Sequence, residues 1–187
     1  MTSNAEEKKN SEKILESHLA YQGKIIKLRL DTYQMKETTR VFELVDHPGA
    51  VVIVPIDPKG RLLLIRQWRR AVGKIILELP AGTLEPDEAP LFSAQRELQE
   101  ETGYKAGRLT KLSSFYSAPG FCNEQLHLFV AEDLLPSRLA ADDDEGIDVV
   151  PTYLPDAIQM IEDGTLADAK SIAGILHYQL WSKNHRD

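Results

Sequence analysis

Residues 50–56, Ala-Val-Val-Ile-Val-Pro-Ile, are apolar throughout, and this run constrains the fold more than any other stretch of the chain. Without polar alternation and rich in β-branched residues, it suits a buried strand. It is the longest apolar run and falls far short of the ~18 residues that span a bilayer, so it belongs to a soluble core. Asp57-Pro58-Lys59-Gly60 puts Pro and Gly where a turn wants them, and residues 61–68 then return as another strand. Pro55 conflicts with a regular ladder because proline donates no hydrogen bond, so an irregularity is expected there.

The other segments read around this pair. Residues 1–12 are polar and charged with almost nothing to bury, a mobile tail, and the fold is expected to begin near Ile14. Across 23–31, Ile25, Ile26, Leu28 and Leu30 partly alternate with charged residues in a half-buried strand pattern; Val41, Glu43, Leu44 and Val45 give a second strand, with 32–38 joining the two as a hairpin. Residues 75–79 are a short apolar segment. The stretch 87–102 has Leu91, Ala94 and Leu98 at helical spacing, and Gly103 is positioned as its C-terminal cap. Further strands are expected at 109–116, 125–131 and 147–154. Helices are expected at 155–162 and 168–182, the latter with Ile172, Ile175, Leu176 and Leu180 on one face. The reading is one α+β domain, a mixed sheet packed against helices, with no internal repeat or linker.

Composition excludes several classes of function. The 187 residues carry a net charge of −7, which argues against a general nucleic-acid or acidic-membrane surface. An anionic substrate must then be held by local arginines or a metal ion. The single cysteine, Cys122, cannot close an internal disulfide and the first residues show no apolar signal core, so a reducing, cytoplasmic location is expected.

The charged helix carries the chemistry. Five residues separate Gly82 from Glu88, and seven more lead to Arg96-Glu97-Leu98-Gln99-Glu100-Glu101-Thr102-Gly103. Glu97, Glu100 and Glu101 are spaced i, i+3 and i+4, so their carboxylates leave one helical face within reach of a shared ion. Their mutual repulsion becomes binding energy if they hold a hard cation such as Mg²⁺ or Mn²⁺. A solvated acidic face would look similar; the flanking glycines weigh against that reading. Gly82 permits a tight loop that lets the Ala81 carbonyl turn inward as a further oxygen ligand, and Gly103 stops the helix just past the carboxylates. Seven fixed positions match by accident on the order of once in 10⁸ windows.

This pattern resembles the signature of the Nudix hydrolases at every fixed position, and from about Gly23 to Tyr178 the chain resembles the ADP-ribose pyrophosphatase branch. Arg66-Gln67-Trp68-Arg69, Leu77-Glu78-Leu79-Pro80-Ala81-Gly82 and Ser117-Ala118-Pro119-Gly120-Phe121 carry that second likeness, with Pro119 as the branch marker. The resemblance implies a Nudix fold, a mixed β-sheet sandwiched between helices with an N-terminal antiparallel β-hairpin extension. It divides the chain into a tail (1–12), an N-terminal β region for dimerisation (13–47) and a catalytic domain (48–187). It also implies Mg²⁺-dependent hydrolysis of the pyrophosphate bond of ADP-ribose or a similar nucleoside diphosphate sugar, giving AMP and a sugar phosphate, with Mn²⁺ as a substitute ion.

By the same resemblance Glu97 and Glu101 ligate metal directly, Glu100 is a ligand or a base, and the Ala81 carbonyl assists. Arg96 orients a glutamate by ion pairing. Glu78 and Glu88 read equally as structural or metal-linked, and Glu78 also as a substrate contact. Arg69, and less so Arg70, would meet substrate phosphates, while Pro119 and Gly120 would line the substrate. The acidic run Asp142-Asp143-Asp144-Glu145 corresponds to a mobile loop from which one carboxylate approaches the attacking water; Glu145 matches best by its spacing from Ile147 and Val149, with Asp143 and Asp144 as alternatives. Phe42 corresponds to an aromatic that meets the base, often from the partner of a swapped homodimer. Ile25 stands where relatives can show a tryptophan, which weakens a two-sided aromatic clamp. Trp68 reads as core or wall, and the five histidines as structural or exposed.

Two further readings stand beside this one: a GDP-mannose or broad-range nucleoside diphosphate sugar pyrophosphatase, and a Nudix-fold sensor that binds ADP-ribose without cleaving it. The intact carboxylates and a tail too short for a helix-turn-helix disfavour the sensor.

Overall fold

The computed structural model describes residues 13–139 and 146–185, which form two compact units. No helix among the described residues is long and apolar enough to cross a membrane.

The first unit comprises residues up to 48 together with 118–124. Its sheet is an antiparallel meander of β1 (Lys13–Gln22), β2 (Lys27–Gln34) and β3 (Thr39–Asp46). The hairpin of β2 and β3 closes through Met35 N–H on the Thr38 carbonyl, 2.8 Å. Residues 23–26 are not strand: Gly23 N–H donates to the Ile26 carbonyl at 2.9 Å, and this turn carries Ile25 and Ile26. β1 adds a strand that the sequence pattern did not disclose. Its pairing with β2 slips between Ile14 and Glu16 and again between Leu19 and Tyr21, and each slip breaks the two-residue period on which strand recognition depends. Arg29 anchors this sheet through the fully buried Asp31 at 2.6 Å and Asp46 at 2.6 Å. Residues 118–124 form a tight turn clamped to β3, with Val45 N–H on the Phe121 carbonyl at 2.7 Å.

The second unit holds residues 49–117 and 125–185. A mixed sheet of order β7-β4-β9-β8 is built from β4 (Ala50–Pro55), β7 (Ala81–Thr83), β8 (Tyr104–Tyr116) and β9 (Gln125–Pro136), with β4 and β9 parallel. A second, antiparallel sheet orders β10 (Asp148–Thr152), β5 (Leu62–Arg69) and β6 (Lys74–Glu78). The helices are α1 (Pro90–Thr102), α2 (Leu154–Glu162) and α3 (Ala169–His185).

β4 is buried along its whole length, and its residues face alternate sides. Val51 and Ile53 pack with Phe129 and Ala131 under Ala94 and Leu98 of α1. Val52 and Val54 pack with Leu128 and Val130 under Ala157 of α2 and Ile175 and Tyr178 of α3. The mixed sheet is thus sandwiched between helices, as expected. The irregularity expected at Pro55 does not occur. The register from Ala50↔Leu126 to Pro55↔Ala131 has no shift, and Pro55 ends a strand whose other neighbour, β7, pairs only as far as Val52.

Candidate active site

β6 runs through Leu79 and Pro80 into β7, which lays Ala81 and Gly82 along the edge of β4. α1 begins at Pro90 and stops at Gly103, whose φ of 77° is left-handed, as the sequence predicts. Two carboxylates one helical turn apart reach from α1 to the Ala81–Gly82 backbone. Glu101, only 7% exposed, accepts the Ala81 N–H at 2.9 Å. Glu97 fills the space that a side chain on Gly82 would need: a Cβ there would lie 1.8 Å from the Glu97 Cδ. Only glycine admits that carboxylate.

Arg96 holds the face together. Its guanidinium forks onto Glu88 at 3.0 and 2.9 Å, and its Nη1 donates to Glu97 at 2.6 Å and to Glu100 at 3.0 Å. Hydrogen bonds from Arg96 hold the Glu88 carboxyl below the usual carboxylate range against the opposing effect of burial. The same partners push the Arg96 guanidinium above its ordinary value. Among the described residues no three Asp, Glu, His or Cys side chains form a closed ligand group as they stand. The donor set nevertheless suits a hard cation. One cationic nitrogen, Arg96 Nη1, is already shared by Glu97 and Glu100, and the missing side chain at Gly82 makes room for the Glu97 carboxylate.

A second cluster lies on β5 and β6. Arg69 binds Glu78 side-on through Nε and Nη2, both at 2.7 Å. Glu78 is 1% exposed and also takes a very short contact from Lys170 of α3. Lys170 in turn pairs with Asp168 at 2.9 Å, and Asp168 caps α3 through Ser171 N–H at 3.0 Å. Ser171 Oγ accepts the buried Leu79 N–H at 2.7 Å, which closes a ring back onto β6. The Glu78 hydrogen bonds raise the Arg69 guanidinium above its ordinary value, burial opposes them, and the charges of Glu78, Glu101 and Asp168 add to the rise.

The NUDIX domain matches residues 46–174 of this sequence. The chain belongs to the NUDIX family. It is 38% identical over 174 residues to the ADP-ribose pyrophosphatase of Bacillus subtilis (strain 168), a match covering 90% of this chain and 93% of that protein. It is 36% identical over 172 residues to the methanol dehydrogenase activator of Bacillus methanolicus, again covering 90% and 93%. A crystal structure of an ADP compounds hydrolase superposes with a TM-score of 0.84 at 26% identity, covering 94% of this chain and 96% of that one.

Within the Nudix frame the structure brings Ala81, Glu97, Glu100, Glu101 and Arg96 into one cluster and joins Arg69 to Glu78. Glu88, whose role the sequence left open, is tied to Arg96. Arg70 is exposed in the turn after β5. Trp68, expected in the core or wall, is 51% exposed and so is not core. β5 turns Gln67 inward at 5% exposure and Trp68 outward, beside its cross-strand partner Ile75. In the other unit Phe42 packs edge-on against Tyr33 with centroids 5.3 Å apart, and Pro119 and Gly120 are exposed in the 118–124 turn. Glu145, Asp142, Asp143 and Asp144 lie outside the described residues. Sequence reasoning missed Lys170, Asp168 and Ser171. A local signal existed only for the cap, where Asp168 stands three residues before Ser171 at a helix start.

Proposed function

We propose that this Nudix protein hydrolyses the pyrophosphate bond of ADP-ribose or a closely similar nucleoside diphosphate sugar, releasing AMP and a sugar phosphate. The observation that carries the chemistry is the seating of Glu97 and Glu101 on the Ala81–Gly82 backbone, with Arg69 bound to Glu78 three residues before Ala81. The names of the relatives support the choice of substrate.

Glu97, Glu100, Glu101 and the Ala81 carbonyl would hold Mg²⁺, with Mn²⁺ as a substitute. Such an ion supplies neutralisation of phosphate charge and polarisation of water. The protein's own residues do the rest. Arg96 restrains Glu97 and Glu100, so their oxygens are oriented before substrate arrives. Arg69 uses its Nε edge on Glu78 and keeps its Nη1 edge for phosphate oxygens, which a planar guanidinium meets in pairs. Water attacks one phosphorus in line; its oxygen forms the new P–O bond as the bridging P–O bond breaks, and its proton passes to a carboxylate. Glu145 is our choice for that carboxylate on sequence position, with Glu100 of α1 the alternative.

We further propose a homodimer in which the N-terminal sheets pair and Phe42 meets the base. β1 is a ten-residue edge strand exposed along its whole length, and Ile14, Leu15, Leu19 and Tyr21 on it are each about half exposed. Such an edge needs a cover. The lone Cys122 supports a reducing, cytoplasmic setting.

Hydrolysis of ADP-ribose, ADP-glucose, GDP-mannose, NADH and diadenosine polyphosphates, each with Mg²⁺ and with Mn²⁺, tests the reading. ADP-ribose is expected to show the highest kcat/KM. Failure to hydrolyse any nucleoside diphosphate sugar would overturn it.

A further inference from the structure

We infer that Lys170, on the last helix, is a positioning residue that presets Arg69 for the substrate phosphates by acting through Glu78. This rests on the functional reading above.

Glu78 is 1% exposed, so its charge has to be met by protein partners, and it has two cationic ones. Arg69 takes the carboxylate side-on at 2.7 Å, and Lys170 takes Oε2 of the same carboxylate. Lys170 is itself tethered. Its Nζ reaches Asp168 at 2.9 Å, and Asp168 is fixed at the start of α3 by Ser171 N–H. Through Ser171 Oγ, the same helix start also holds the Leu79 N–H at 2.7 Å. One helix terminus thus fixes the side chain of Glu78 and the backbone of the next residue.

The consequence for Arg69 is geometric and electrostatic. In the β5–β6 ladder Arg69 stands opposite Lys74, while Glu78 stands opposite Ile65, so the Arg69 side chain leans back along the sheet to reach its partner. That posture depends on where the Glu78 carboxylate is held, and it decides where the open Nη1 edge points. Lys170 also takes a share of the Glu78 charge that would otherwise fall on Arg69 alone, leaving the guanidinium more of its own charge for an anion. Lys170 does this from 92 residues away in sequence.

A double-mutant cycle on the full chain with ADP-ribose tests this. Lys170→Met is expected to raise KM about tenfold with kcat within about threefold, and Lys170→Arg, which keeps a cation on Glu78, to restore most of the loss. In the Arg69→Ala background, Lys170→Met should add less than about twofold to KM, because its effect runs through Arg69. Three results would overturn the inference: an undiminished tenfold effect in the Arg69→Ala background, which means that Lys170 meets phosphate itself; a fall in kcat at constant KM, which is loss of folded protein; or wild-type kinetics for Lys170→Met. If Lys170→Met does not fold, the Lys170→Arg and Lys170→Gln pair decides: Lys170→Arg near wild type beside a raised KM in Lys170→Gln supports the inference, and equal KM in both overturns it. Absence of ADP-ribose hydrolysis by the wild-type enzyme is a separate outcome that removes the functional reading and this inference together.

Discussion

A side chain on Gly82 and the carboxylate of Glu97 cannot occupy the structure together, since a Cβ on the first would stand 1.8 Å from Cδ of the second. The conflict is with the far end of a flexible side chain, so Gly82→Ala should fold and displace Glu97. We expect kcat to fall at least ~10²-fold with a small change in Tm, because the loss is confined to a group that acts in the transition state. Activity near wild type in Gly82→Ala would remove the argument that glycine is required here for the carboxylate.

Glu97→Gln and Glu101→Gln test the same face from the helix side. Glutamine keeps an oxygen that can accept the Ala81 N–H now taken by Glu101 but removes the charge. Each variant is expected to lose at least ~10²-fold in kcat with its fold retained, and activity in wild type should require a divalent cation. Turnover without any divalent cation, or undiminished in either variant, would contradict the site.

What the sequence made legible was local. The helix that carries Glu97, Glu100 and Glu101, the cap at Gly103 and the buried strand, which ends at Pro55 rather than Ile56, are each contained within a few turns or one strand. What it hid was long-range or broken in period. Arg69 and Glu78 sit nine residues apart and meet only because β5 and β6 fold into a hairpin; Lys170 comes from 92 residues beyond Glu78. Trp68 is not core because the inward-facing neighbour on β5 is the polar Gln67. β1 escaped because two register slips erase the alternation that would mark it.

The exposed β1 edge predicts assembly. Light scattering at micromolar concentration should give a homodimer, and replacing Leu19 and Tyr21 with lysine should shift it toward monomer. A monodisperse, fully active wild-type monomer would contradict it.

Asp57 predicts a pH dependence of stability. Burial pushes its carboxyl up, but hydrogen bonds from Arg61 N–H, the Arg61 guanidinium and Lys59 N–H more than offset this, so its pKa lies below the ordinary 3.8. A depressed carboxylate stabilises the fold above its unfolded value, and that contribution is lost as the pH falls through the folded value. Asp57→Asn should therefore be less stable than wild type at pH 7 by about 1 kcal/mol, with the gap closing as the pH drops below about 4. Calorimetry at several pH values would show it, and a gap independent of pH would contradict it.

Chemistry and binding rest on different residues and separate in kcat and KM. If Glu145 takes the proton of the attacking water, its contribution exists mainly in the transition state, so Glu145→Gln should lower kcat and leave KM nearly unchanged. Arg69 differs because its guanidinium meets phosphate oxygens before and during the reaction. Arg69→Ala should raise KM at least as much as it lowers kcat, and it also leaves the buried Glu78 with Lys170 as its cationic partner. Asp143→Asn and Asp144→Asn, assayed alongside, fix which carboxylate of the acidic segment acts, and Glu145→Gln is expected to show the largest loss. Near-normal kcat in all three would move the base to α1. Glu100 would then be the first residue to test, because it is held at 3.0 Å by the same Arg96 nitrogen that holds Glu97.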